Sequence, residues 1–536
     1  MMTSSLSKTN VDYSLYLVTD STPNILGDRD LVEVVEAALE GGCGLVQYRD
    51  KTSSTAVLVS TAKRLHAVTQ KHGVPLLIND RVDVALAVGC EGVHIGQEDL
   101  NLPTARKLLG DNAIIGVTVS AIEEAQIACK DGADYLGIGT IFPTATKTNT
   151  KDIIGTAGTK EIMRSIREWP VRTVCIGGIN SSNIQRVLYQ SVYHSTPFHK
   201  NLDGVALVSA IMAAEDPKKA SQDLLQLIQT PPAFAASSVA SHQRVVKVFD
   251  LMAQVPSVLM QVAEQKPLSH NMTNLVVQNF AANVALAIGS SPIMANYGEE
   301  AADLAKLGGA LVVNMGTVTP DGLENYAKAI KEYNMVGGPV VFDPVGAGAT
   351  AVRRASVKTL LAAGYFDVIK GNEGEIKTVF GMSVQQKGVD TGSSTSTLLE
   401  KATIVRDLAA RERNVVLMTG ATDLLSDGVR TYAIHNGCDM LGNITGSGCV
   451  LGTIISAMVA VSRGDKLVAT LAGVLLYEIA AERAMEKEDS DHQKVVKGPG
   501  TFVPALIDEL SSLNNPKLGI PWNTWLPRAK VDAIDI

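Results

Sequence analysis

The sequence is poor in aromatic residues and in charge, and its cysteines form no pair with metal-ligand or redox spacing. Aromatics make up 4% of the 536 residues, and Asp, Glu, Lys and Arg together make up 19%. The formal net charge of -8 removes the electrostatic case for nucleic acid or an anionic membrane as a partner. Cys43, Cys90, Cys129, Cys175, Cys438 and Cys449 are scattered without a CxxC motif. That excludes a zinc ribbon or a dithiol redox motif and points to a reducing, cytoplasmic compartment in which most of them pack as small apolar groups. The opening MMTSSLSKTN has none of the apolar core of a secretory signal. Runs such as 450–461 are too short and too close to glycine to span a bilayer.

What is abundant is apolar residue, 46% of the chain, together with 46 glycines and 20 prolines. This is the composition of a globular enzyme. A chain of this length exceeds what a single core organises, so two domains are expected. The alanine- and serine-rich stretch 230–243 (TPPAFAASSVASHQ) reads as a linker between a domain at 1–229 and another at 244–536.

In the first half, short apolar runs at 15–18, 45–48, 76–78, 93–95, 114–119, 135–138, 173–176 and 205–208 alternate with amphipathic stretches such as 31–39, 56–69, 121–129 and 182–189. The alternation predicts a parallel sheet with covering helices. An eightfold β/α barrel, the TIM barrel, is the economical topology, with an open doubly wound sheet as the alternative.

A barrel collects its chemistry in the loops behind the carboxyl ends of its strands. Polar sets fall there in this chain: Gln47, Arg49 and Lys51; Asn79 and Asp80; Asp99; Ser120; Thr144, Thr146 and Lys147; Gly177 and Gly178; Val208 and Ser209. Asp80 and Asp99 are hard carboxylates suited to Mg²⁺ shared with phosphate oxygens. Arg49, Lys51 and Lys147 would balance phosphate charge, and Ser120, Thr144 and Thr146 offer hydroxyl donors. The glycine pair and the helix start after Val208 leave backbone N–H groups for a second phosphate. Any one of these sets is ordinarily a surface turn or ion pair. Their joint occurrence at successive strand ends points to a magnesium diphosphate site.

The second half predicts a helix over 245–264, a strand at 267–271, an alanine-rich helix over 274–288, buried strands at 310–315, 340–344, 368–371 and 415–419, and a hairpin from 424–426 and 432–435. This is a layered α/β pattern without an eightfold repeat. TGSGC, at 445–449, precedes a long apolar helix. Its glycines let backbone N–H groups face a phosphoryl group that gains negative charge, aided by the helix dipole. Cys449 falls in the first turn, where a thiol pKa is lowered; a small packing residue is the ordinary alternative. Asn372 and Glu375 in GNEGE share one helical turn, able to organise Mg²⁺ through water or to form a plain helix cap. Asp343, in FDPVGAGAT, ends a strand ahead of Arg353 and Arg354.

QYRDK, the Asn79 and Asp80 pair, the segment 96–99, PTATK, GGI and VSAI, in that order, resemble thiamine phosphate synthase over residues 11–228. The resemblance implies a barrel that joins hydroxymethylpyrimidine diphosphate to a thiazole phosphate: diphosphate leaves and the thiazole nitrogen captures the pyrimidine carbocation. It implies Asp80 and Asp99 as Mg²⁺ ligands, Gln47, Arg49, Lys51, Asn79 and Lys147 on the diphosphate, Lys147 also as a catalytic residue, and Ser120 near the pyrimidine. Thr144 and Thr146 fall with the substrate contacts, and Gly177, Gly178, Val208 and Ser209 surround the thiazole phosphate. The stretch 191–203 departs from the family pattern as an insertion before the last strand.

SHNMTNLVVQNFAANVALAIGSSPIM (269–294), DPVGAGAT, GNEGE and TGSGC resemble hydroxyethylthiazole kinase, of the ribokinase-like α/β group, over residues 243–513. The resemblance implies ATP as co-substrate, contacted by Lys370 and Thr419, with Asn372 and Glu375 in the Mg²⁺ shell. Asn274, Val276 and Met294 would touch hydroxyethylthiazole, Gly446 and Gly448 would form the anion hole, and Cys449 would accept the substrate hydroxyl proton. Bacterial members commonly carry arginine where Lys370 stands. It further implies a homo-oligomer, a trimer or hexamer built through the kinase domain. The tail 514–536, with Trp522 and Trp525, is unassigned, with packing against another subunit as the open option.

Together the halves read as a bifunctional enzyme of thiamine biosynthesis in the fungal style. Two alternatives are a sugar-phosphate barrel joined to a sugar or pyridoxal kinase, and a chain in which one half is a degenerate scaffold. Cys449 and PTATK argue against the first; the charged sets present in both halves argue against the second.

Overall fold

The computed structural model describes residues 8–144, 153–195, 197–235, 247–382, 396–514 and 520–536. Two predicted phosphate contacts, Thr146 and Lys147, lie outside the described residues. The chain divides into two units, Met1–Pro232 and Ala233–Ile536. Part of the stretch read as a linker belongs to the second unit: Phe234 stacks on Tyr365 with ring centroids 4.5 Å apart, and Lys466 donates to the Phe234 carbonyl at 2.9 Å.

The first unit contains β1 (Leu15–Val18), β2 (Leu45–Tyr48), β3 (Leu76–Asn79), β4 (Gly92–Ile95), β5 (Ile114–Val119), β6 (Tyr135–Ile138), β7 (Arg172–Ile176), a small hairpin of β8 (Tyr193–Ser195) and β9 (Phe198–Lys200), and β10 (Gly204–Leu207). Eight of them close into a barrel in the order β1-β10-β7-β6-β5-β4-β3-β2. β1 pairs in parallel on both sides, Leu15 with Val205 and Tyr16 with Leu45, so the open-sheet alternative is excluded. The period of two sorts the strand residues. Leu15 and Leu17 join the outer cluster with Val35, Ala38 and Leu65, whereas Tyr16 and Val18 join Leu45, Leu77, Ile114 and Tyr135 inside.

The helices follow ordinary start and stop chemistry. Asp30 accepts hydrogen bonds from the Val32 and Glu33 N–H groups, and Leu31–Glu40 then buries Leu31, Val34, Val35, Ala38 and Leu39 at helical spacing before ending at Gly41. Each such apolar side chain contributes about 1.5–3 kcal/mol on full burial.

The insertion forms the β8 and β9 hairpin. Lys200 Nζ donates to the Trp169 and Val171 carbonyls at 2.9 and 3.1 Å, and the Asp203 carboxylate accepts the Thr173 N–H at 2.8 Å. These partners lie at the amino end of β7, the opposite end from Gly177 and Gly178. The insertion therefore extends the face away from the strand-end loops.

The second unit contains β11 (Leu268–Met272), β12 (Ser291–Ile293), β13 (Ala310–Asn314), β14 (Val340–Asp343), β15 (Val368–Asn372), β16 (Val415–Thr419), β17 (Asp423–Ser426), β18 (Thr431–Ile434) and β19 (Val531–Ala533). They form one sheet in the order β12-β11-β13-β14-β15-β16-β17-β18-β19. The pairs from β12 to β16 are parallel and the last three antiparallel. Alternate residues feed two separate cores: Val312, Val341, Val368 and Leu417 pack with Ile454, Leu475 and Phe502 on one face, and Val313, Phe342, Ile369 and Val416 pack with Ile330, Leu360 and Leu408 on the other. A sheet covered on both faces explains why these strands read as continuous apolar runs.

Three expectations are corrected. The helix read over 245–264 is two helices, Val248–Met252 and Val255–Gln265, because Pro256 fits only the first turn of a helix. The helix read from Asn274 begins at Gln278, because the Asn274 side chain takes the Val276 N–H at 3.1 Å and holds a turn instead. The tail does not wait for another subunit: Trp525 is fully buried in this unit's own core, and β19 pairs with β18, Val531 opposite Ile434. Among the described residues, no helix is long and apolar enough to cross a membrane.

Candidate active sites

The barrel interior carries a polar chain from strand to strand. Gln47 Nε2 donates to Tyr16 Oη at 2.6 Å, Tyr16 Oη shares a hydrogen bond with Tyr135 Oη at 2.8 Å, and Tyr135 Oη meets His94 Nδ1 at 2.7 Å. His94 Nε2 reaches Thr118 Oγ1 at 2.8 Å. Glycine makes the space: a Cβ on Gly116 would lie 2.0 Å from Tyr135 Cζ, and one on Gly137 would lie 2.9 Å from His94 Cε1. Burial holds the Tyr16 and Tyr135 phenols in the neutral form, able to donate.

At the carboxyl ends of β3 and β4 the charges converge. Asp80 adopts a left-handed φ of +63°, and its carboxylate lies 3.0 Å from Lys51 Nζ. Asp99 takes the Gly96 N–H at 2.7 Å. Burial first, and then the neighbouring Asp80, raise the Asp99 carboxyl above the usual range. Two neighbouring carboxylates, the Asp99 one raised, beside one lysine fit a divalent cation shared with an anionic ligand.

Other predicted residues take varied places. The Arg49 N–H donates to Thr19 Oγ1 at 3.0 Å. Asn79 is half-buried, opposite His94 in the β3 and β4 register. Ser120 is at the end of β5, but Glu124 occupies both its N–H, at 2.6 Å, and its hydroxyl, at 3.1 Å. Thr144 is the last described residue of its loop. Gly177 and Gly178 have φ of +105° and +65°, and Gly178 has no room for a Cβ, which would lie 2.6 Å from the Pro143 carbonyl. The Phe142 N–H donates to the Gly177 carbonyl at 3.0 Å, tying the loops after β6 and β7 together. Val208 precedes the short helix Ser209–Met212.

In the second unit, Gly446 is the left-handed residue that starts the helix Ser447–Val461, with φ +82°. Tyr477 Oη donates to the Ser447 carbonyl at 3.0 Å and pins the turn. Gly448 is exposed, and its carbonyl accepts from Lys370 Nζ at 2.8 Å. Lys370 is buried in an ion pair with Asp343 at 2.9 Å. Burial works against the Lys370 charge, yet Asp343 and Cys449 hold its pKa above the ordinary lysine value. Asn314 Nδ2 donates to Asp343 Oδ2 at 2.8 Å, and Asn274 Nδ2 donates to Asn314 Oδ1 at 3.0 Å and to Cys449 Sγ at 3.5 Å.

The expectation of a lowered Cys449 pKa is corrected. Burial, then Asp343, push the thiol up to about 11, against the pull of Lys370, Asn314 and Asn274. The dipole of the helix start does not overcome desolvation.

Asn372 and Glu375 form a full capping box: Asn372 Oδ1 accepts from the Glu375 N–H at 3.0 Å and Glu375 Oε2 from the Asn372 N–H at 2.8 Å. Glu375 Oε1 also accepts the Gly346 N–H at 2.7 Å. Burial, then Asp343, raise this carboxyl to about 7. Thr419 lies opposite Asn372 in the β15 and β16 register. Met294 is half-buried, whereas Val276 and its neighbour Leu275 are 71% and 70% exposed.

The sequence reading did not assign Tyr16, His94, Thr118 and Tyr135 in the barrel, or Asn314, Asp343, Tyr477, Asp423 and Glu478 in the second unit. Asp343 and Asn314 carried a signal, as polar residues that end apolar strands. Burial raises Asp423 to about 6, and burial and Asp423 raise Glu478 well above its ordinary value.

A closed β/α barrel with a strand-end charge cluster, joined to a layered α/β unit whose long apolar helix starts at a left-handed glycine, has the make-up of a two-domain transferase. The comparisons give the particular kind. Residues 15–211 match the family described as thiamine monophosphate synthase, and residues 259–516 match the hydroxyethylthiazole kinase family. The chain is 44% identical over 534 residues to the "probable thiamine biosynthetic bifunctional enzyme" of Schizosaccharomyces pombe, covering 98% of this chain and 100% of that protein. It is 37% identical over 555 residues to the "thiamine biosynthetic bifunctional enzyme" of Saccharomyces cerevisiae, with 98% and 99% covered. Its second half is 43% identical over 265 residues to the hydroxyethylthiazole kinase of Moorella thermoacetica, which spans 49% of this chain and 95% of that protein. The chain belongs to the family of bifunctional thiamine biosynthetic enzymes.

Proposed function

We propose that the second unit phosphorylates hydroxyethylthiazole with ATP and that the barrel couples the resulting thiazole phosphate to hydroxymethylpyrimidine diphosphate, releasing diphosphate. The observation that carries the reading is the presence, in each half, of the charge set its reaction needs: Lys51, Asp80 and Asp99 at the strand ends of the barrel, and the Gly446 turn beside Lys370 and Asp343 in the kinase unit.

In the kinase unit the backbone N–H groups after Gly446 face the transferring phosphoryl group and stabilise the charge it gains. Lys370, Thr419 and Asn372 contact ATP, while Asn274, Val276 and Met294 hold the thiazole. Cys449 takes the hydroxyl proton. A thiol raised to about 11 is a scarce base at neutral pH, which suits a loose transition state that asks little of one.

In the barrel, Gln47, Arg49, Lys51, Asn79 and Lys147 bind the diphosphate, Thr144 and Thr146 offer it hydroxyl donors, and Ser120 lies near the pyrimidine. Gly177, Gly178, Val208 and Ser209 hold the thiazole phosphate. The residues present fit Mg²⁺ in both units: the Asp99 carboxyl is raised by burial and by Asp80 in the barrel, and Glu375 carries a raised carboxyl in the kinase unit. When bound, Mg²⁺ neutralises the phosphate oxygens that gain charge as the bond breaks.

The exposure of Leu275 and of the thiazole contact Val276 supports assembly as a trimer or hexamer that covers this edge. The scattered unpaired-motif cysteines support a reducing, cytoplasmic setting. Two half-assays test the reading: ADP formation from ATP and hydroxyethylthiazole, and diphosphate release from thiazole phosphate and the pyrimidine diphosphate without ATP. Failure of either assay removes that half of the proposal.

A further inference from the structure

Asn314 is fully buried at the carboxyl end of β13, opposite Asp343 on β14. A backbone group sets the orientation of its amide. The Gly316 N–H meets Oδ1 at 2.9 Å, so Nδ2 must be the atom facing Asp343, to which it donates at 2.8 Å. Asn274 is fixed in the same way. The Val276 N–H meets its Oδ1 at 3.1 Å, which leaves Nδ2 to donate to Asn314 Oδ1 at 3.0 Å and to Cys449 Sγ at 3.5 Å.

Flipping either amide would turn N–H against N–H and strand a buried donor. The donors therefore run in one direction on each side of Asn314. On one side the Asn274 amide points at sulfur and at Asn314; on the other, Asn314 and Lys370 converge on the same Asp343 oxygen at 2.8 and 2.9 Å. Lys370 then continues to the Gly448 carbonyl in the anion turn at 2.8 Å.

We infer that Asn314 is a positioning residue of the kinase reaction: its carbonyl oxygen holds the Asn274 amide with its N–H aimed at the Cys449 sulfur, while its own N–H steadies Asp343 against Lys370. An N–H donor on sulfur favours the thiolate over the thiol, and the thiolate is the form that accepts the substrate hydroxyl proton. Asn314 touches no substrate in this arrangement; it works through Cys449 and Asp343. The inference rests on the kinase reading of this site.

The test replaces Asn314 with leucine, similar in size and unable to donate or accept, in the full chain and again in a Cys449→Ala background. Asn314→Leu is expected to lower the kinase kcat at least about 10-fold, with KM for ATP held within about 3-fold. In the Cys449→Ala background the same change is expected to cost at least about 3-fold less than in the parent, because the sulfur is gone and only the contact with Asp343 remains to be lost. Should the leucine variant fail to fold, Asn314→Asp keeps the shape, sets a carboxylate against Asp343 and is read against the same two backgrounds. An undiminished kcat, or equal losses in both backgrounds, overturns the inference. A parent chain that forms no ADP with hydroxyethylthiazole sinks the kinase reading itself; an active parent with an indifferent Asn314 sinks only the role of Asn314.

Discussion

A Cβ on Gly446 would stand 2.3 Å from Val277 Cγ1, at a φ of +82° that L side chains rarely adopt. The turn proposed to hold the anion is thus built on a residue with neither steric nor conformational tolerance. Gly446→Leu is expected to lower the kinase kcat at least about 10²-fold, the scale of losing a preorganised donor. Cys449→Ala, in contrast, is expected to leave a measurable rate, because the transfer depends little on a base. Steady-state ADP formation by the two variants checks this, and equal losses would contradict the division of roles.

For the barrel, Asp80 pairs with Lys51 at 3.0 Å beside the raised Asp99 carboxyl, the cluster to which the proposed reading assigns cation and diphosphate. Asp80→Ala or Asp99→Ala is expected to reduce diphosphate release at least about 10²-fold and to raise the Mg²⁺ concentration needed for half-maximal rate. ADP formation by the same preparations should be unchanged. A synthase rate insensitive to both substitutions would remove the charge cluster from the mechanism.

Asp423 and Glu478 carry raised carboxyls in a buried pair, with Asp423 shifted from 3.8 to about 6. The folded unit therefore keeps protons that the unfolded chain has already released. Stability contributed by the pair is fully present at low pH and is lost as pH rises from 3.8 through about 6, and further as it passes the raised Glu478 carboxyl. Asp423→Asn still offers an oxygen to the Gly420 N–H, which Asp423 accepts at 2.9 Å, and removes one of the two like charges. Melting temperatures measured across that range should fall less steeply with pH in the variant than in the parent. An unaltered slope would mean the pair does not titrate as described.

Trp525 ties the tail to the kinase core. Trp525→Ala should cost about 3–5 kcal/mol, the usual range for emptying a large aromatic site. The check is chemical denaturation of the full chain followed by residual ADP formation. A loss under 1 kcal/mol, on the scale of a surface residue, would return the tail to the role of an accessory segment.

The barrel was legible because each parallel strand must bury alternate residues on two sides and deliver its carboxyl end to one loop cluster. Gln47, Asp80 and Asp99 therefore stood out by position as much as by type. Relations across strands were not legible. Asn314 gains its meaning from Asp343, 29 residues later, through a shared register. Asp423 and Glu478 meet from a strand and a distant helix that no spacing connects. The direction of the Cys449 shift was misread because the helix start is visible in sequence and burial is not. β19 escaped notice because Val531–Ala533 has too few residues to show a period.

The central claim is that one chain performs two consecutive steps, and a single incubation tests it. The purified protein is given ATP, Mg²⁺, hydroxyethylthiazole and hydroxymethylpyrimidine diphosphate, and products are followed by mass spectrometry. The account predicts thiamine phosphate only when ATP is present, with thiazole phosphate as the transient species. Thiazole phosphate that accumulates without thiamine phosphate, or no phosphorylated product at all, would contradict it.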